Sequence, residues 1–202
     1  MFDLKSFLKE RNNQLALFFL FLQFLLLYRN FLFESQLNLF YYCNHLPILL
    51  SIFFFYKKYD YIKALISFGF IPQLFWNIDI ILNLFGITDL DFIGDLFLFE
   101  IEHMIITILI HLIVFIALYF VYKFETNSKT LLYSFYYIIL IYIIVLLFVS
   151  PDEADVNCIY DACYLEFLYF DLYTYFWIPI AFITMVLPGY YLQRFLSKKF
   201  RN

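Results

Sequence analysis

Cys43, Asp79 and His103 are the residue types of a thiol nucleophile, an orienting carboxylate and a general base. Such a base draws off the thiol proton, and the carboxylate holds the imidazole and balances its protonated form. Asn44 and Asn77 are amides able to donate to an oxyanion. His45, Trp76 and Asn83 complete the candidate binding set. Cys43, Asn44 and His45 are consecutive, so on a helix their side chains diverge by about 100° per residue and cannot all line one cavity. Trp76, Asp79 and Asn83 are three and four residues apart and share one face. Pro47 has no N–H for the Cys43 carbonyl four residues earlier, and a kink there would make room for a pocket.

The elements that must position these residues follow from composition. Of 202 residues, 65% are hydrophobic, 25% aromatic and 15% charged. One soluble domain of this length cannot hide so much apolar surface, and disorder needs the opposite composition. Four Gly and five Pro exclude collagen-like and Gly/Pro-rich classes. The expected class is an all-α polytopic membrane protein. Six apolar stretches approach the roughly 20 residues a bilayer core requires. They are 14–33, 37–56, 61–85, 96–122, 130–149 and 172–192. They are continuous rather than alternating, so they read as helices and not as barrel strands. The corresponding organisation is an N-terminal flank 1–13, a transmembrane domain 14–192 and a basic tail 193–202. No small-x-small site follows the first stretch, so a cleaved signal peptide is not expected.

Hydropathy alone allows five or six spans, because Phe31-Leu32-Phe33 nearly fuses the first two. Charge selects six. Twelve of the 13 basic residues then fall on one side, with Arg29 the exception in the first outer loop. The positive-inside rule places both termini in the cytoplasm of a plasma (inner) membrane protein. Asp89, Asp91, Asp95, Asp152, Glu153, Asp155, Asp161, Glu166 and Asp171 all lie outside.

Span direction brings Cys43, His45, Asp79 and His103 to one level in the outer half of the bilayer, with Cys43 about two helical turns below the outer end of its span. Polar groups there cost about 2.5–3.5 kcal/mol for Asp or Lys and usually face the bundle interior. Asp79 should be protonated or paired, with a histidine as the expected partner. The structural alternative is an interhelical hydrogen bond, with Asn77 and Asn83 as further links. His111 reads as a core histidine. Cys158 and Cys163, in the last outer loop, are placed to form a disulfide in an oxidising compartment. The acidic residues 152–155 lack the glycine and spacing of a calcium loop and read as solvated loop.

Phosphate loops, dinucleotide fingerprints, zinc-protease and nucleophile-elbow motifs are absent, and no cofactor is expected. A metal site from His45, Asp79 and His103 has no ligand-spaced motif behind it. The basic residues are short flanks, which gives nucleic-acid binding no support. The expected partner is the lipid bilayer, with a lipid as candidate substrate.

Cys43-Asn44, Trp76-Asn77-Ile78-Asp79, His103, Val156-Asn157 and Leu187-Pro188 occur in an order that resembles an uncharacterised family of small bacterial six-helix membrane proteins. That family carries Cys-Asn, Trp-Asn-x-Asp, His and Asn-x-Asn marks. This chain departs from the pattern at Asp155-Val156-Asn157-Cys158 and at Glu100-Ile101-Glu102. A more distant similarity is to six-helix proteins that transfer lipid acyl groups with an intramembrane Cys and His, for which Cys43 and His103 are the matching positions. The resemblance implies acyl transfer or hydrolysis opening to the outer side. The alternatives are a proton or small-solute transporter with an Asp79–His103–His111 relay, or a structural subunit whose polar residues only pack helices.

Overall fold

The computed structural model describes residues 9–33, 39–85, 101–151, 156–160 and 173–200. Six long helical segments lie among them: α1 (Arg11–Phe33), α2 (Tyr42–Phe55), α3 (Tyr59–Leu84), α4 (Ile101–Val121), α5 (Ser128–Phe148) and α6 (Tyr173–Phe200). All but α2 are long and apolar enough to cross a bilayer. Phe21, Phe24, Ile81, Leu140, Leu147 and Ile183 point outward, on surfaces that water would not tolerate and acyl chains do. The chain is an all-α, multi-pass membrane protein.

The helices run alternately up and down. At one end Lys57 pairs with Glu10, Arg11 donates to the Phe120 carbonyl at 3.3 Å, and Tyr122 meets Phe200 edge to face. The start of α1, the α2–α3 and α4–α5 connections and the end of α6 therefore share that end. At the other end Phe40 stacks on Phe148, and the Tyr160 hydroxyl donates to the Val149 carbonyl. Helix α3 is central and packs against α2, α4, α5 and α6, while α1 packs on α2 and α4.

Two glycines set the closest approaches. A Cβ on Gly189 would lie 2.3 Å from the Ser67 carbonyl oxygen, so α6 and α3 touch through backbone. A Cβ on Gly69 would lie 2.2 Å from the Tyr42 ring, whose hydroxyl donates to the Leu65 carbonyl at 2.6 Å. Stacked aromatics fill the wider gaps, among them Phe19 on Phe54, Tyr61 on Tyr133 and Tyr142 on Trp177.

Three elements differ from the sequence expectation. Helix α2 starts at Tyr42 rather than 37 and has only 14 residues. That is about 21 Å of helix against a hydrocarbon core of about 30 Å. Arg29, expected in a loop, lies inside α1 and is 4% exposed. Residues 193–200, expected as a tail, continue α6 to Phe200. That helix carries a π turn at Phe182–Val186, where the Leu187 N–H bonds the Phe182 carbonyl. Pro188, immediately after, has no N–H to return to the previous turn.

Candidate functional site

The site is built around the first turn of α2. The Tyr42 N–H donates to Asn157 Oδ1 at 2.8 Å, and Asn157 Nδ2 donates to the Phe40 carbonyl at 3.0 Å. Asn157 thus closes the helix start from the outer loop. It does so in the left-handed region, at φ 57°, which Asn tolerates better than most residues. Cys158 follows at φ 55°, is disulfide-bonded, and accepts on its carbonyl from the Tyr173 hydroxyl at 3.1 Å. Its expected partner Cys163, the acidic residues 152–155 and Glu100 lie outside the described residues. Val156 and Ile159 are fully buried, so this loop is packed into protein. Irregular backbone at membrane depth is stable only when covered in that way.

Cys43 is therefore in the first turn of its helix, not two turns down. Its half-buried thiol carries no disulfide and donates to Asn44 Oδ1 at 3.7 Å. The start of a helix favours negative charge, because its first N–H groups have no partner within the helix. Asn44 is buried and also accepts from the Arg29 guanidinium at 3.2 Å.

Arg29, the one basic residue the sequence offers near this depth, was expected in a loop and not in the site. Besides Asn44 it donates to Thr107 Oγ1 on α4 at 2.9 Å and to Asn30 Oδ1 at 3.2 Å. One cation thus ties α1, α2 and α4 together. A signal was available in the sequence: Arg29 sits in an apolar run ending Phe31-Leu32-Phe33, an expensive place for an unpartnered charge. Nearby, Gln23 Nε2 donates to the Asn44 carbonyl and Gln23 Oε1 accepts from the Ile48 N–H, both at 3.1 Å. An unbroken helix joins those two groups directly. Here a side chain from α1 bridges them beside Pro47, so the proline region holds a glutamine, not an opening.

On the α3–α4 seam, Trp76 stacks on His111 with centroids 3.5 Å apart. His111 Nδ1 lies 2.8 Å from the Thr107 carbonyl, which can only accept, so Nδ1 carries the proton. Asn77 Nδ2 donates to the carbonyls of Gln73 (2.7 Å) and His111 (2.9 Å), making it a helix–helix link. Asp79 is fully buried and accepts from Asn83 Nδ2 at 2.9 Å, one turn on. His103 is buried in the first turn of α4. Ile80 packs with Met104, which brings the Asp79 and His103 turns to the same seam. Asn30 Nδ2 and Gln73 Nε2 are buried donors without an acceptor among the described residues.

His45 goes elsewhere. Its Nε2 lies 2.6 Å from the Tyr137 hydroxyl of α5, and its ring packs edge-on to Tyr42. The divergence expected for three consecutive residues therefore separates His45 from Cys43 and Asn44. What converges is Cys43–Asn44–Arg29–Thr107, with His103 one turn from Thr107 on α4 and Asp79 across the seam. Residues one turn apart on a helix have Cβ atoms about 5–6 Å apart. These features define a multi-pass helical membrane protein with a donor-rich polar centre inside one end of its bundle. No protein family, curated protein or solved structure matches the chain.

Proposed function

We propose that this centre handles a lipid acyl group, with Cys43 as nucleophile, His103 as base and Asp79 as the group that orients it. The observation behind this reading is the Arg29 bridge. It binds Asn44, next to Cys43, and Thr107, one turn from His103, in a single hydrogen-bonded unit. Asn30 and Gln73 offer donors, which suits a carbonyl-rich guest. The thiolate adds to an ester or thioester carbonyl, and the oxyanion collapses with loss of the alkoxide or thiolate, which takes the proton held by His103. A hydroxyl or water then resolves the Cys43 thioester. The basic end faces the cytoplasm of a plasma (inner) membrane, and the disulfide at Cys158 suits an oxidising outer side.

The test uses the full chain in vesicles and a lipid-like acylating probe. Wild type is labelled, Cys43→Ala is not, and His103→Ala is slower by about 10²-fold or more. Labelling that ignores Cys43→Ala or His103→Ala refutes the proposal. The structural-subunit reading also has an observation in its favour. Gln23, Ser51, Asn77 and Gln193 each donate to a backbone carbonyl of another helix. Full retention of cellular phenotype in Cys43→Ala, Asp79→Asn and His103→Ala would select it.

A further inference from the structure

Asn30 follows Arg29 on α1 and is 4% exposed, one turn before the helix ends at Phe33. Its amide has one settled orientation. A guanidinium can only donate, and Arg29 Nη2 donates to the Asn30 oxygen at 3.2 Å, so Oδ1 is the atom that faces the cation. Nδ2 is thereby turned the other way, and among the described residues it meets no acceptor. A buried amide N–H without a partner is rare in folded proteins, and a catalytic role is one of the few accounts of it.

The same Arg29 Nη2 donates to Asn44 Oδ1 at 3.2 Å, and the Cys43 thiol donates to that oxygen at 3.7 Å. One guanidinium nitrogen therefore joins the Asn30 amide to the residue beside the nucleophile. Two other amides of the site are placed for different work. Asn77 gives its Nδ2 to the carbonyls of Gln73 and His111. Gln73, whose Nε2 is also unpaired among the described residues, accepts from the Val114 N–H. Val114 lies two turns, about 10 Å, further along α4 than Thr107, the residue that Arg29 holds.

We infer that Asn30 donates to the oxyanion formed at Cys43, with Arg29 as the residue that positions it. This rests on the acyl-transfer reading above. The thiolate adds to the acyl carbon, a C–S bond forms, and the carbonyl π pair moves onto oxygen. The Asn30 N–H holds that oxygen while its charge develops. The bond relaxes when the carbonyl re-forms and the bond to the leaving group breaks. The cation on the amide oxygen polarises the N–H, and the amide needs no reorientation at the moment of reaction. Such a donor also narrows the electrophile to an acyl ester or thioester, because attack on a disulfide or a saturated carbon makes no oxyanion.

The experiment sets two reactions of Cys43 against each other in the full chain in vesicles: acylation by a long-chain acyl thioester and alkylation by a long-chain iodoacetamide. Alkylation joins the same sulfur to a saturated carbon and releases iodide, with no oxyanion. Asn30→Asp keeps the oxygen that faces Arg29 and removes only the N–H, while Asn30→Leu removes both. In each variant the ratio of acylation rate to alkylation rate is expected to fall by about 10²-fold or more, the loss typical of one oxyanion donor. A packing role would slow both reactions together. The carboxylate of Asn30→Asp, by disfavouring the thiolate, also acts on both and leaves their ratio alone. A ratio unchanged in Asn30→Asp or Asn30→Leu overturns the inference and leaves the acyl reading standing. Wild-type Cys43 that is alkylated and never acylated overturns both.

Discussion

Arg29 poses a question that magnitudes can decide: does the bundle gain from the cation itself, or only from not leaving it unpartnered? Replacing Arg29 with Met keeps the length of the side chain and removes the charge. It forfeits bonds to Thr107, Asn44 and Asn30. Hydrogen bonds to charged groups contribute about 1.5–3 kcal/mol in water-soluble proteins, but bonds inside membrane bundles average nearer 0.6. Between the membrane average and the low end for charged groups, three such bonds are worth roughly 2–5 kcal/mol. Removing the cation also returns its insertion cost, about 2.5–3.5 kcal/mol. The net effect of Arg29→Met is therefore small, between a gain of about 1.5 and a loss of about 2.5 kcal/mol. Thr107→Val keeps the shape of the residue and removes one acceptor while the charge stays buried, at a cost of about 1.5–3 kcal/mol. In the Arg29→Met background the same Thr107→Val change should cost under about 0.5 kcal/mol, since its hydroxyl no longer serves a charge. The assay is reversible unfolding in mixed micelles, with the two tryptophans Trp76 and Trp177 as fluorescent reporters. Equal cost of Thr107→Val in both backgrounds, or a loss above about 4 kcal/mol for Arg29→Met, refutes the argument.

Other outcomes follow from the same geometry. Gln23→Leu should destabilise by about 1–2 kcal/mol, since it leaves the Asn44 carbonyl and Ile48 N–H without their bridge; the same unfolding assay measures it. Gly189→Ala should cost more than Gly69→Ala. Its Cβ meets the backbone of Ser67, which cannot yield without moving a helix, whereas Gly69 meets the end of the Tyr42 side chain. Either overpacking is expected at about 1–3 kcal/mol or above, and their order in melting midpoint is the check. At the basic end, hydrogen bonding and attraction from Glu10 hold Lys57 above the usual lysine range. A raised folded-state value stabilises the chain at all pH below the unfolded lysine value and is lost as pH climbs through the folded one. Both groups are exposed, so the effect is slight and confined to strongly alkaline solution. Lys57→Met should leave the melting midpoint at neutral pH nearly unchanged and flatten its alkaline decline.

The sequence by itself determined the class, five of the membrane-crossing helices and the alternation that gathers basic flanks at one end. Those follow from runs of apolar residues long enough to match a bilayer and from where Lys and Arg interrupt them, which are one-dimensional facts. It also separated His45 from its neighbours, because helical rotation is local. Tertiary structure alone decided where α2 begins, since the Asn157 side chain that closes its first turn comes from 115 residues away. It decided that Arg29 is a buried hub, because the partners of a charge on α1 lie on α2 and α4. It also decided that Gln23 fills the space beside Pro47. Each of these depends on which faces of separate helices meet, and hydropathy averages that rotation away. The polar centre was legible as a set of residue types at one depth. Its wiring through Arg29 and Thr107 required the packed bundle.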